Sequence, residues 1–161
     1  MSDGPRPQDD RDRASAGAHE ASQTKAIDPA IGQTVRVGWL LLAVSLPFGL
    51  TLETFHAWKA PFYVGSETRR EMWRLAHAHG TLLGVVCLVW SALAEAHVAV
   101  PLRSSVARQL RWGAVLMPVG FFAGGILNSE SDPSLGVLLA PVGAALLISA
   151  LLRMAFGRSH A

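Results

Sequence analysis

Charge and cysteine are what this chain is short of. Charged residues make up 16% of its 161 residues, against about 25% in an ordinary soluble domain. The single cysteine, Cys87, excludes a disulfide scaffold and any paired-cysteine metal motif. A net charge of +2 offers no basic footprint for nucleic acid. The sequence also lacks a phosphate-binding glycine loop and a Ser/His/Asp arrangement, so no residue is assigned a catalytic role. What remains is apolar: 50% of the residues are hydrophobic and the mean hydropathy is +0.31. The length fits one folded unit.

That average conceals two polymers. Residues 1–33 carry six acidic and four basic residues, and no apolar run in them is longer than two or three. Such a segment cannot bury enough surface to offset the entropy of ordering, so it reads as a disordered tail. It is also too polar for a signal peptide. The basic isoelectric point of about 9.2 therefore arises in the rest of the chain.

Residues 34–157 hold four long uncharged runs: Val37–Leu52, Leu75–Ala94, Trp112–Ser129 and Pro133–Leu152. A helix needs about 20 mostly apolar residues to cross the hydrocarbon core, and each run reaches that length with its flanks. Trp39, Trp58, Trp73, Trp90 and Trp112 fall near run ends, where amphipathic rings favour the headgroup zone. The expected fold is all-α: an integral membrane, up-and-down four-helix bundle with helices at about 35–58, 69–97, 105–129 and 133–156. Thr68 with Glu71 fits a capping box, Asp132–Pro133 an N-cap and first turn, and Ser104 or Ser105 a cap after Pro101. Six arginines flank one side of the membrane (Arg36, Arg103, Arg108, Arg111, Arg153, Arg158), and Lys59, Arg69, Arg70 and Arg74 flank the other. Positive-inside counting thus sets both termini in the cytoplasm of a multi-pass protein of the bacterial plasma membrane.

Each helix has one face unlike the rest. Gly38, Ser45, Gly49, Glu53 and His56 form a stripe on the first, and His77, Gly80, Thr81, Gly84, Ser91 and Glu95 on the second. Leu82, Leu83, Val86 and Leu93 cover the second helix's opposite side. Gly113, Gly120, Gly124 and Asn128 align on the third, and Gly136, Ala140, Gly143 and Ala144 on the fourth. Small residues let backbones approach in lipid, so Gly49, Gly80, Gly84, Gly120 and Gly124 are the candidate packing positions.

The polar members of these stripes gather at one end of the bundle. Glu53 and His56 end the first helix, His77 begins the second, and Asn128, Glu130 and Asp132 link the third and fourth. Three chemistries suit them. Glu53-x-x-His56 has the carboxylate–imidazole spacing of di-metal bundles. With His77, and with His79, Asn128 or Glu130 as further ligands, it could hold a transition metal or a haem iron. The same groups could pass a proton or ion, or they could only hydrogen-bond one another and fix helix register. His79 lies two residues from His77 and so points about 200° away, to the headgroup boundary. Glu95 lies at the opposite membrane end. His97 and His160 read as interfacial or tail residues, His19 as part of the tail, and Cys87 as an apolar filler. The Lys59–Arg74 segment, with Phe62 and Tyr63, could rest on anionic headgroups.

The stretches Glu53-Thr54-Phe55-His56-Ala57-Trp58-Lys59 and Leu75-Ala76-His77-Ala78-His79-Gly80 resemble a group of small, functionally uncharacterised bacterial four-helix membrane proteins. The His-x-His opening a membrane helix also looks like relatives of the haem–copper oxidases, without the wider histidine set of those enzymes. Position 90, where a second ligand on the same helix would lie in a di-haem cytochrome, is Trp. The resemblance implies membrane helices and a histidine-centred site. The competing expectation is a non-catalytic subunit or assembly factor, with the lipid bilayer, a larger membrane complex or a homo-oligomer as partner.

Overall fold

Asp28 opens the first helix: its carboxylate accepts the Ala30 N–H at 2.8 Å, and Pro29 takes the first helical position. The computed structural model describes residues 28–96, 103–126, 128 and 132–156. In chain order these form α1 (Pro29–Ala57), α2 (Pro61–Val64), α3 (Glu67–Glu95), α4 (Arg103–Gly124), a 3₁₀ turn (Leu135–Leu138) and α5 (Leu139–Phe156). Among the described residues there is no strand. The long helices α1, α3, α4 and α5 match the four expected segments.

Their ends differ from expectation for local reasons. Residues 29–33, expected in the tail, are helical because Asp28 caps them and Ile31 is buried. Residues 1–27, the rest of the expected tail, lie outside the described residues, as do Pro101, His97 and Glu130. At the other end of α1, Ala60 N–H reaches Phe55 O at 3.0 Å and Lys59 N–H reaches His56 O at 3.1 Å. That paired closure requires a left-handed residue between, and Lys59 supplies it at φ 51°. Ser66, not Thr68, caps α3 by accepting the Arg69 N–H at 3.2 Å. α4 stops at Gly124 rather than near 129. The fourth segment begins at Ser134 rather than Asp132: Ser134 N–H donates to Gly124 O and its hydroxyl to Ala123 O, at 2.9 and 2.7 Å. The turn is thereby tied to the end of the helix it follows.

α3 is the middle element, packing on α1 along one side and α4 along the other. α4 also meets α1. Among the described elements, the backbone of α5 approaches only α4 and its own 3₁₀ turn. The arrangement is therefore a three-helix core with α5 laid against the outer side of α4, in place of the four-way bundle the sequence implied. Leu83, expected on the outer face of α3, is buried at 8% exposure because α4 covers that side. Trp90, expected at a membrane boundary, is buried between helices, and its indole N–H has no hydrogen-bond partner.

Glycine sets the helix spacing. A β-carbon built on Gly84 would lie 3.0 Å from the Gly38 carbonyl oxygen, and one on Gly80 only 2.1 Å from the Ser45 hydroxyl. On the other pair, Gly113 faces Gly143 O at 2.8 Å, Gly120 faces Ala140 N at 2.4 Å, and Gly136 faces the Ala123 β-carbon at 2.5 Å. Gly124 stands against Val137 and Met72. Backbone thus touches backbone between α1 and α3 and between α4 and α5, the close approach that small residues permit.

Among the described residues, three stretches are long and apolar enough to cross a membrane: Pro29–Ala57, Glu67–Glu95 and Leu135–Phe156. α4 falls short because Arg103, Arg108 and Arg111 occupy its first turns. Arg111 donates from α4 to Ala30 O at 3.1 Å and the Thr34 hydroxyl at 3.2 Å, joining α4 to the first turns of α1.

Substitution at two glycines separates these roles. Gly120→Ala drives a β-carbon into α5 backbone and should lower the thermal midpoint in detergent, costing about 1–3 kcal/mol as overpacking. Gly32, which has nothing within 4 Å, should gain about 0.5–1 kcal/mol on substitution by Ala through helix propensity. Equal midpoints for the two variants would contradict this account of the interface.

Candidate functional site

Among the described residues, the expected site residues do not form one cluster. The buried positions of α1 are Ile31, Thr34, Gly38, Ser45 and Leu52, a spacing of three, four and seven that keeps a 3.5-residue period. Those of α3 repeat likewise through Ala76, Gly80, Leu83, Cys87, Trp90 and Ala94. An interior seam of this period drifts from a straight 3.6-residue stripe by about 20° every seven residues. By the end of α1 the seam runs through Leu52. Glu53 and His56 fall beside it and are exposed. Neither side chain has a hydrogen bond or ion pair among the described residues. No group of three or more His, Cys, Asp or Glu side chains is assembled there to hold a metal.

His77 is the member of the set that does face inward. Its ring lies against Gly49, where a β-carbon would come within 2.3 Å of Cε1. Nδ1 donates to the Ser45 carbonyl at 2.8 Å, and in a neutral ring this leaves the Nε2 lone pair free. Pro47 removes an N–H from the same part of α1. His77 thus braces α1 beside its proline, with Gly49 providing the room.

His79 is partly buried against α4. Its Nδ1 donates to Leu75 O at 2.8 Å, one turn back, and its ring lies 4.8 Å from that of Phe121 on α4. The 200° separation from His77 is retained; what differs is that α3 has neighbours on both sides. The two imidazoles occupy different helix interfaces, each with Nδ1 tied to a carbonyl and Nε2 free. One ion cannot be reached by both from a regular helix.

Asn128 joins a cluster built on Arg69, within the Lys59–Arg74 segment that in sequence is open to a role on anionic headgroups. Arg69 donates through Nε to Gly125 O at 2.9 Å, through one terminal nitrogen to Phe62 O at 2.5 Å, and through the other to Asn128 Oδ1 at 3.2 Å. Asn128 Nδ2 donates onward to the Ser66 hydroxyl at 2.9 Å. The guanidinium also stands 5.9 Å from the Trp73 ring, within cation–π range. Arg70 closes the other side by donating to Val64 O. A planar fork with five donors suits this task, since the carbonyls it satisfies end one helix and precede another.

Aromatic rings fill the space beneath. Trp73 stacks on Tyr63 and on Phe122, with centroids 6.1 and 5.6 Å apart, and Phe48 meets Phe122 edge-on at 5.5 Å. Phe55 meets Phe62 at 5.0 Å. The Trp73 indole N–H donates to Phe122 O at 3.2 Å. Tyr63, at 1% exposure, anchors the short α2 in this cluster, whereas Phe62 is half exposed. The Lys59–Arg74 segment is thereby folded back onto the bundle end as a cap. Spacing alone gives no sign of this, because the partners lie some sixty residues apart; the one local signal is the aromatic density of Phe55, Trp58, Phe62, Tyr63 and Trp73.

Arg69→Lys keeps the charge and loses the fork. The substitution should lower the thermal midpoint in detergent by the equivalent of about 1–3 kcal/mol and expose the 125–128 loop to protease. An unchanged midpoint and cleavage pattern would show that the cap does not depend on the guanidinium. Comparison with protein-family models, with curated proteins and with solved structures finds no match to this chain.

Proposed function

We propose that this chain is a multi-pass membrane protein of four spans, with both termini in the cytoplasm, that works as an accessory subunit by helix packing. The observation that carries this reading is the open arrangement of its helices: α5 leans on α4 alone, so the flanks of α1 and α3 away from the core are uncovered. Those flanks are apolar. Leu40, Val44 and Leu50 on α1 and Leu82 and Val89 on α3 are more than half exposed, a surface suited to lipid or to the helices of a larger complex. α1 and α3 have 29 residues each, about 43 Å of helix against about 30 Å of hydrocarbon, so both extend beyond the core. α4 fits as the remaining span if Arg108 and Arg111 lie at the cytoplasmic boundary, where their stems can reach the headgroups.

A second reading is favoured by the two histidines. Each has its Nδ1 committed to a carbonyl and its Nε2 uncommitted, the arrangement by which a second hydrogen bond orients a metal-ligating imidazole. His77 or His79 would then serve as a single protein ligand to a haem or transition metal, without Glu53 and His56.

Purification in mild detergent separates the two. An accessory subunit should resist extraction by alkaline carbonate and come away colourless, with metal well below one equivalent. The histidine reading instead predicts a Soret absorption, or about one metal per chain, that His77→Ala or His79→Ala abolishes. Single cysteines in a Cys87→Ser background, placed at Gln33 and Phe156, should be labelled from the cytoplasmic side only; labelling from outside would reverse the topology.

A further inference from the structure

Ser45 carries a second group whose purpose packing does not explain. The other hydroxyls of α1 and α3 that are hydrogen-bonded return to the carbonyl four residues back. Thr34 bonds Ala30 O, Thr51 bonds Pro47 O, Thr54 bonds Leu50 O and Ser91 bonds Cys87 O, at 2.7 to 2.9 Å. This is how a hydroxyl avoids a solvation penalty in an apolar medium. Among the described residues Thr81 and Ser45 depart from this pattern: Thr81 Oγ1 is buried without a partner and lies outside the groove described below, and Ser45 is only 6% exposed with no such bond. The Ser45 hydroxyl sits over Gly80, alongside Pro118.

That position is the floor of a groove between α1, α3 and α4. Leu41, Val44 and Phe48 form one wall, Pro118, Val119 and Phe122 the other, and Ala76 and Ser45 the base; its volume is about 270 Å³. Val44 and Val119 are 68% and 45% exposed, so the groove opens sideways between α1 and α4, the direction of the acyl chains in a spanning chain. A dry cavity of about 150 Å³ holds benzene, so this volume accommodates one substituted ring. Phe48 and Phe122 meet edge-on at one end, where Trp73 stacks on Phe122 and meets Phe48 edge-on. Aromatic faces are negatively polarised and attract an electron-poor ring. The one uncommitted side-chain polar group on the floor is a hydroxyl able to donate to a carbonyl.

We propose that this groove binds the head of a membrane-soluble quinone, the Ser45 hydroxyl donating to a ring carbonyl and the tail leaving between α1 and α4. An acyl chain would fill the groove but leave the hydroxyl unsatisfied. A carbonyl-bearing flat ring answers the shape, the aromatic wall and the lone donor together. The proposal rests on the membrane reading above and on none of its metal alternatives.

The test uses the full chain in nanodiscs, titrated with a decyl-tailed benzoquinone, with empty nanodiscs as blank and Trp73 fluorescence quenching as readout. Trp73→Phe identifies the quenched indole. Saturable quenching is expected, weakened about 3- to 10-fold by Ser45→Ala, as for loss of one hydrogen bond. Val119→Trp, which fills the opening from an exposed position, should abolish it. Circular dichroism and gel filtration of each variant confirm the fold. Non-saturable quenching, equal binding by Ser45→Ala, or full displacement by a decyl chain lacking the ring overturns the proposal, the last identifying a plain lipid groove. A chain recovered without detergent would instead overturn the membrane reading, and it is scored before any titration.

Discussion

Helix-to-helix contact through missing β-carbons is the constraint on which this molecule depends. On the membrane reading proposed above, apolar side chains gain little by meeting each other, so close dispersion contact and polar bonds between helices hold the fold. Gly38 against Gly84 and Gly113 against Gly143 bring main chain within reach of main chain. Two polar contacts of the interior depend on such missing side chains. Ser45 can seat its hydroxyl over Gly80 only because position 80 has no side chain, and His77 can reach the Ser45 carbonyl only because position 49 has none.

The two ends of the core are held by different means from its middle. At one end Arg69 gathers the carbonyls of Phe62 and Gly125 together with Asn128; at the other Arg111 spans from α4 to Ala30 and Thr34. Both arginines use several donors on groups that helix termini or hydroxyls leave available. A lysine, with a single ammonium, could not join three segments in this way. The ends are thus fixed by hydrogen bonds of defined direction, and the middle by shape. This division leaves the groove between α1 and α4 without polar closure along its length.

Much of the fold was legible in the sequence. Four apolar segments, their small-residue positions and the inward direction of His77 follow from run length and helical spacing. The site was less legible, and the reason is geometric. Glu53 and His56 share a straight stripe with Ser45 and Gly49, but the interior follows Ile31, Thr34, Gly38, Ser45 and Leu52; a few tens of degrees accumulated over three turns decide whether a carboxylate faces in or out. For His79 spacing gives an angle and not a neighbour: Phe121 meets it from a helix that begins 24 residues later. Arg69 was hidden for a third reason. Its partners are backbone carbonyls, and any residue supplies those. Ser45 shows the converse case, where the informative fact is a hydrogen bond that a hydroxyl could make within its own helix and does not.

The attachment of α5 to α4 alone bears on how such a chain is built. Its contacts are with the helix immediately before it, and α3 likewise meets its predecessor α1 as soon as it forms. Each hairpin can close while the next segment is still being synthesised. The one packing between long helices that must wait is that of α1 with α4, because α3 intervenes in sequence, and it carries the Arg111 bonds. Closing this larger loop is the entropically slower event. On the four-span reading proposed above, a nascent chain would rest as two hairpins, with the meeting of α4 and α1 as the committing step of assembly.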